Sequence, residues 1–141
     1  MKGVIQYLHL HKTITFFVAL LWSALIFYGC SMPGKDLPKV GLFDHADKLI
    51  HFTFFVVFFI LWYCRFGSPI RLVIIAAAYG LAIEFYQLYF VPGRSFDIWD
   101  AVADALGALL AWLWIRHIMP EAIPVQNEQN LPTKPHTHRK N

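Results

Sequence analysis

The sequence predicts an all-α integral membrane protein: four transmembrane helices followed by a disordered C-terminal tail. Three observations carry that expectation. Of 141 residues, 57% are hydrophobic and only 15% charged, whereas soluble domains are about a quarter charged. Apolar runs of membrane-spanning length occur four times, separated by short segments rich in Pro and Gly. Aromatic residues reach 17%, with 13 Phe and 5 Trp, which suits a lipid-facing surface with interfacial anchors.

Crossing ~30 Å of hydrocarbon takes ~20 helical residues. Residues 1–13 read as a cytoplasmic N-terminus and residues 14–118 as the membrane domain. The first span is Ile14 to Cys30, "ITFFVALLWSALIFYGC". The second, Leu49 to Cys64, is short unless it begins near Asp47. The third runs from Leu72 to about Val91 and the fourth from Ile98 to Ile118. Each must be a helix, because lipid offers no partner to backbone N–H and C=O groups. "SMPGKDLPKVG", "RFGSP" and "VPGR" read as the turns between them.

From residue 119 the composition changes. "PEAIPVQNEQNLPTKPHTHRKN" has four prolines, no aromatic residue and little to bury, so residues 119–141 read as a disordered polar tail. Its His136 and His138 could hold a metal weakly, but a solvated tail is the simpler reading. The first span also has the layout of a cleaved signal, with "FYGC" placed like a lipobox ending at Cys30. The bulk of Phe27 and Tyr28 and the three spans that follow favour an uncleaved anchor.

The net charge of +3 is a weak pointer to nucleic acid. The basic residues mostly flank apolar runs, where orienting the chain in a membrane accounts for them better. With the N-terminus inside, cytoplasmic segments hold Lys2, Lys12, Arg65, Arg71, Arg116, Lys134, Arg139 and Lys140. The outer segments hold only Lys35, Lys39, Lys48 and Arg94, so N-in and C-in is the expected topology. Cys30 and Cys64 then fall at opposite membrane faces and are expected to be unpaired apolar residues.

The same topology sorts the acids. Only Glu121 and Glu128 lie on the tail side; Asp36, Asp44, Asp47, Glu84, Asp97, Asp100 and Asp104 lie in or beside the outer half. Asp47 and His51 are four apart on the second span and share a helix face, with Lys48 beside them. Glu84 and Gln87 are three apart on the third. Asp97, Asp100 and Asp104 share one face of the fourth. At 1.5 Å per residue, Glu84 and Asp104 both sit roughly 9–10 Å below the outer end. Their faces continue into small residues, Gly80 and Ala76 on one helix and Ala103, Gly107 and Ala111 on the other. Such rows let membrane helices approach closely, so the acids are expected to face other helices. A carboxylate at the bilayer centre costs at least ~2.5 kcal/mol, and Lys48, His51 and Arg94 are the cations at hand to offset it. The inferred object is a polar pocket opening outward, walled by spans two, three and four. Taken singly, Asp97 and Asp100 are also ordinary acids at a helix N-terminus, His51 an interior hydrogen-bonded histidine, and Arg94 a loop residue pairing with an acid. Glu84 and Asp104 have no such local account.

The order "DKLIHF", E-x-x-Q (Glu84, Gln87), "PGRSFDIWD" and D-x-x-G (Asp104, Gly107), with "YGCSMPG" after the first span, resembles the VanZ-like family of small bacterial membrane proteins. The resemblance covers roughly residues 14–118 and rests on the combined order of the pieces. It places the family pattern on Asp47, Lys48, His51, Glu84, Gln87, Arg94, Asp97, Asp100 and Gly107. Asp104 departs from it, since the family more often has Asn there. The family is named for a protein associated with resistance to the glycopeptide teicoplanin, which implies cell-envelope biology in the cytoplasmic membrane.

Two functions from different classes are compatible with these residues. In the first, the pocket binds an outer-leaflet lipid head group, a cell-wall precursor or a glycopeptide. Lys48 and Arg94 would contact phosphate or carboxylate, and Glu84, Asp100 and Asp104 would hold those cations or accept hydrogen bonds from sugar or amine groups. Asp47, His51, Gln87 and Asp97 complete that ligand-binding set, and no cofactor or resident metal is expected. In the second, an intramembrane hydrolase or transferase acts on lipid-linked phosphates. It would use a divalent metal held by His51 and the acids, or His51 as general base oriented by Asp47. The sequence carries no HExxH, GxSxG or Walker motif to support it. Proton-coupled transport would also use buried acids, but four spans are few for it without oligomerisation.

Overall fold

The computed structural model describes residues 2–33, 46–67 and 69–118. They form five helices: α1 (Lys2–Leu10), α2 (Lys12–Cys30), α3 (Ala46–Phe66), α4 (Pro69–Phe90) and α5 (Ile98–Ile118). Four are long and apolar enough to cross a membrane: Lys12–Cys30, Ala46–Phe66, Ile70–Phe90 and Ile98–His117. The chain is a multi-pass membrane protein. The second span begins at Ala46 rather than Leu49, which brings Asp47 and Lys48 into its first turn and removes the shortfall in length. The tail and the segment carrying Lys35 and Lys39 lie outside the described residues.

The helices are apolar nearly all round, so burial is decided by small and polar residues. On α2 the buried stripe is Thr15, Ala19, Ile26 and Cys30, while Phe17, Leu21 and Leu25 point outward. On α4 the buried row is Leu72, Ala76, Gly80, Glu84 and Gln87, a step of about one helical turn each time. On α5 it is Asp100, Asp104, Gly107, Ala108, Ala111 and Ile115. The α5 helix is central, packing most extensively on α3 and next on α4, while α2 leans on α3 and touches α4 only lightly.

Gly107 shows how close these helices lie. A methyl group there would run into the carbonyl oxygen of Phe52, with the Phe52 carbonyl carbon at 3.1 Å. Gly80 plays the same part between α4 and α5, where an added Cβ would lie 2.8 Å from the Cβ of Asp104. Away from these contacts Phe55, Phe58, Phe59, Ile83 and Ile115 fill the core. Ser23 collects the outer helix onto the bundle. Its hydroxyl oxygen accepts the indole N–H of Trp62 at 3.1 Å, and its carbonyl accepts the Tyr79 hydroxyl at 2.8 Å.

The first thirteen residues hold a helix that the sequence reading had not assigned. At nine residues α1 is only about 14 Å long, too short to cross, and it packs at the end of the bundle where α3 finishes. Ile5 is buried against Cys64, His9 Nδ1 lies 3.2 Å from the Cys64 carbonyl, and Thr15 donates to the Leu8 carbonyl at 2.6 Å. Cys30 and Cys64 are both free and buried, at opposite ends of the spans.

Candidate functional site

The polar residues singled out in the sequence meet at one end of the bundle. The start of α3 supplies Asp47, Lys48 and His51; the last turns of α4 supply Glu84 and Gln87; the start of α5 supplies Asp100 and Asp104. Arg94 and Asp97 come from the turn that joins α4 to α5. That turn is tight because Gly93 takes φ 73°, a conformation open to glycine without the usual steric cost. Asp97 then ends the turn by capping α5. Its Oδ1 accepts the Trp99 N–H at 2.8 Å and its carbonyl accepts the Asp100 N–H at 3.1 Å, the ordinary chemistry of an N-cap aspartate.

Lys48 sits at the centre of the outer layer. Its Nζ donates to Asp97 Oδ2 at 2.8 Å, Asp100 Oδ1 at 2.9 Å and Asp47 Oδ2 at 3.2 Å. An ammonium has three N–H donors, and all three are spent within the protein. Asp97, which lies outside the spans, is held below the usual aspartate range by its hydrogen bond from Lys48. Asp97 thus caps a helix and belongs to the charged cluster at the same time.

A second layer lies deeper. His51 Nδ1 is 3.1 Å from Asp104 Oδ1; with Asp104 ionised its oxygen only accepts, and Nδ1 is then the donor. The other ring nitrogen, Nε2, is 4.0 Å from Asp100 Oδ2. The carboxylate that orients His51 is therefore Asp104 on α5. Asp47, expected from the i, i+4 spacing, bonds to Lys48 and stays exposed at the helix start. Glu84 Oε2 accepts the backbone N–H of Asp97 at 2.9 Å, tying α4 to the α5 cap. Glu84 and Asp104 are both 0% exposed, yet Glu84 Oε1 and Asp104 Oδ2 have no hydrogen-bond partner among the described residues. His51, Glu84 and Asp100 each bring one potential ligand atom to within 4.8 Å of the others, and Asp47, Asp97 and Asp100 do the same.

Two residues of the expected set face elsewhere. Gln87 donates to the Cys30 carbonyl at 3.0 Å, so it fastens the end of α4 to the end of α2. Arg94 is half-buried in the turn and makes no ion pair with another described residue, although the sequence offered pairing with an acid as its simplest role. Sequence reasoning missed Cys30 as a hydrogen-bonding partner. It acts through its backbone, for which side-chain patterning carries no signal.

A family model described as VanZ/LLP1 matches residues 2–119. No curated protein matches the chain, and no solved structure does.

Proposed function

The chain belongs to the VanZ/LLP1 family, and from that premise we propose that it binds the polar group of an envelope amphiphile at the outer leaflet of a bacterial cytoplasmic membrane. The class comprises lipid head groups, lipid-linked cell-wall precursors and glycopeptides. The observation that carries the reading is the end of the bundle itself. Buried polar side chains from three helices, His51, Glu84, Asp100 and Asp104, meet there beside a half-buried arginine with no ion pair to another described residue. Arg94 would take phosphate or carboxylate in a bidentate manner. Lys48, whose donors are engaged by three carboxylates, holds the site together instead of meeting the ligand. The unpartnered oxygen of Glu84 is placed to accept from a sugar hydroxyl, an amine or a bound cation.

The reading requires N-in and C-in topology. A C-terminal fluorescent fusion that folds only in the cytoplasm should be bright, and an alkaline phosphatase fusion at the same position inactive. The ligand itself is tested by native mass spectrometry of protein extracted with its lipids. Wild type should retain a phosphate-bearing amphiphile that Arg94→Ala loses; equal retention by the two proteins would count against the proposal.

The His51–Asp104 pair favours a second reading, a hydrolase or transferase acting on lipid-linked phosphates. An imidazole with Nδ1 held by a carboxylate would, in its neutral form, take a proton at Nε2. Phosphate release from a polyprenyl diphosphate, abolished in His51→Gln and kept in Gly29→Ala, would establish it over simple binding.

A further inference from the structure

The two acid triads at this end of the bundle share Asp100 but differ in what neutralises them. The outer one, Asp47, Asp97 and Asp100, surrounds the ammonium of Lys48 at 2.8 to 3.2 Å and so has a cation built into the chain. In the inner one, His51, Glu84 and Asp100, Lys48 reaches only Asp100 Oδ1, and no lysine or arginine among the described residues pairs with Glu84. The ligand atoms of this inner triad lie within 4.8 Å of one another, and Glu84, fully buried, keeps Oε1 without a partner among the described residues.

We propose that His51, Glu84 and Asp100 hold a divalent cation, with Asp104 as the carboxylate that orients the histidine. Four features point that way together. Metal-bound histidines commonly give their second ring N–H to a carboxylate, which fixes the tautomer and the ring plane. His51 is held in that manner, Nδ1 to Asp104 Oδ1 at 3.1 Å, leaving Nε2 directed at the side where Asp100 Oδ2 lies 4.0 Å away. Asp100 offers Oδ2 there while its Oδ1 serves Lys48, so one carboxylate joins the two layers. Glu84 likewise splits its oxygens, Oε2 to the Asp97 N–H and Oε1 to nothing among the described residues. One imidazole with two carboxylates is a mixed nitrogen and oxygen set, which suits Mn²⁺ or Zn²⁺ better than a purely hard ion. The three residues come from α3, α4 and α5, so the cation also stitches together the helices that form the site.

This cation site stands apart from the head-group reading, because it is complete in the protein without an amphiphile.

The test uses full-length protein in lipid nanodiscs, stripped with chelator and titrated with Mn²⁺ alone by electron paramagnetic resonance. The expected result is saturable binding of one Mn²⁺ per chain, with a ¹⁴N coupling from imidazole that disappears in His51→Gln. Glu84→Gln should weaken binding at least tenfold, while Asp47→Asn, which touches only the outer triad, should leave it within about twofold. Folded wild-type protein that binds no Mn²⁺ saturably would overturn the proposal. So would binding that lacks the ¹⁴N coupling, or that falls equally in Asp47→Asn and Glu84→Gln. Should Glu84→Gln fail to fold, the wild-type ¹⁴N coupling and its loss in His51→Gln decide the matter. Amphiphile retention is measured separately, so failure of one proposal leaves the other standing.

Discussion

Lys48 is the residue whose removal has the most predictable consequence. Lys48→Met keeps the length and apolar stem of the side chain and deletes only the ammonium. Three carboxylates lose a partner, but unequally. The Asp47 and Asp97 side chains are 56% and 38% exposed, so water replaces the lysine, and pairs of that kind contribute about 0–1 kcal/mol each. The Asp100 side chain is 8% exposed and has no comparable access to water. A charge-assisted hydrogen bond contributes about 1.5–3 kcal/mol, and leaving a buried charge unpaired costs about 3–5 kcal/mol. Lys48 itself is 23% exposed, which places this pair between those limits. The substitution should therefore destabilise the fold by about 2–4 kcal/mol, nearly all of it through Asp100.

A double-mutant cycle in mixed detergent micelles, with unfolding followed by circular dichroism, measures this directly. Lys48→Met paired with Asp100→Asn should show a coupling of about 1–3 kcal/mol, because the second change removes the charge that the first one stranded. The same cycle with Asp47→Asn should give less than about 0.5 kcal/mol. A Lys48→Met protein as stable as wild type, or a coupling larger with Asp47 than with Asp100, would refute the reasoning.

Other expectations are simpler. Gly107→Ala should destabilise by about 1–3 kcal/mol, because the new methyl meets the Phe52 backbone and cannot be relieved by a rotamer change. Gly29→Ala, with nothing within 4 Å of the added carbon, should be neutral or stabilising by up to about 1 kcal/mol; thermal unfolding of the two variants side by side checks both. Gln87→Leu keeps the bulk but strands the Cys30 carbonyl, which should cost about 1–3 kcal/mol and speed hydrogen exchange at the end of α2. Asp97 has its carboxyl lowered by Lys48, so its contribution is complete above the unfolded aspartate range and is lost as pH falls through the folded value. The stability gap between wild type and Asp97→Asn should thus hold steady from neutrality down to about pH 4 and close only below it. A gap that closes between pH 7 and 5 would assign it to another group.

The spans were legible because each is an uninterrupted apolar run between Pro and Gly segments, and hydrocarbon thickness leaves little freedom in length. The approximate depth of Glu84 and Asp104 was legible too, since a helical rise fixes it once the ends are known. Partner choice was not. Spacing placed Asp47 and His51 on one face, yet the two diverge. At the first turn of α3 Asp47 reaches outward to Lys48, and His51 finds Asp104 on α5, which approaches closely because Gly107 lets the backbones meet. That contact joins residues 53 apart in sequence, and no local period encodes it. The α1 helix escaped notice for a different reason: at nine residues it is too short for a hydropathy signal, and it is held by one buried isoleucine and backbone contacts to α2 and α3.

The layering of the charged end follows from what each acid has to offset. Near the end of the bundle a lysine can reach three carboxylates and still touch water, so its single charge serves the buried Asp100 while solvent screens the more exposed Asp47 and Asp97. One turn deeper, the small residues Gly80 and Gly107 let α3, α4 and α5 pack so closely that no larger side chain fits at those two positions. A methyl at Gly80 or Gly107 already collides. Balancing charge there requires something small. A proton satisfies one carboxyl, and a divalent cation satisfies Glu84 and Asp100 together while using the nitrogen that Asp104 has aimed. Close helix packing thus brings Asp104 against Gly80 at the same depth where Glu84 Oε1 has no partner among the described residues.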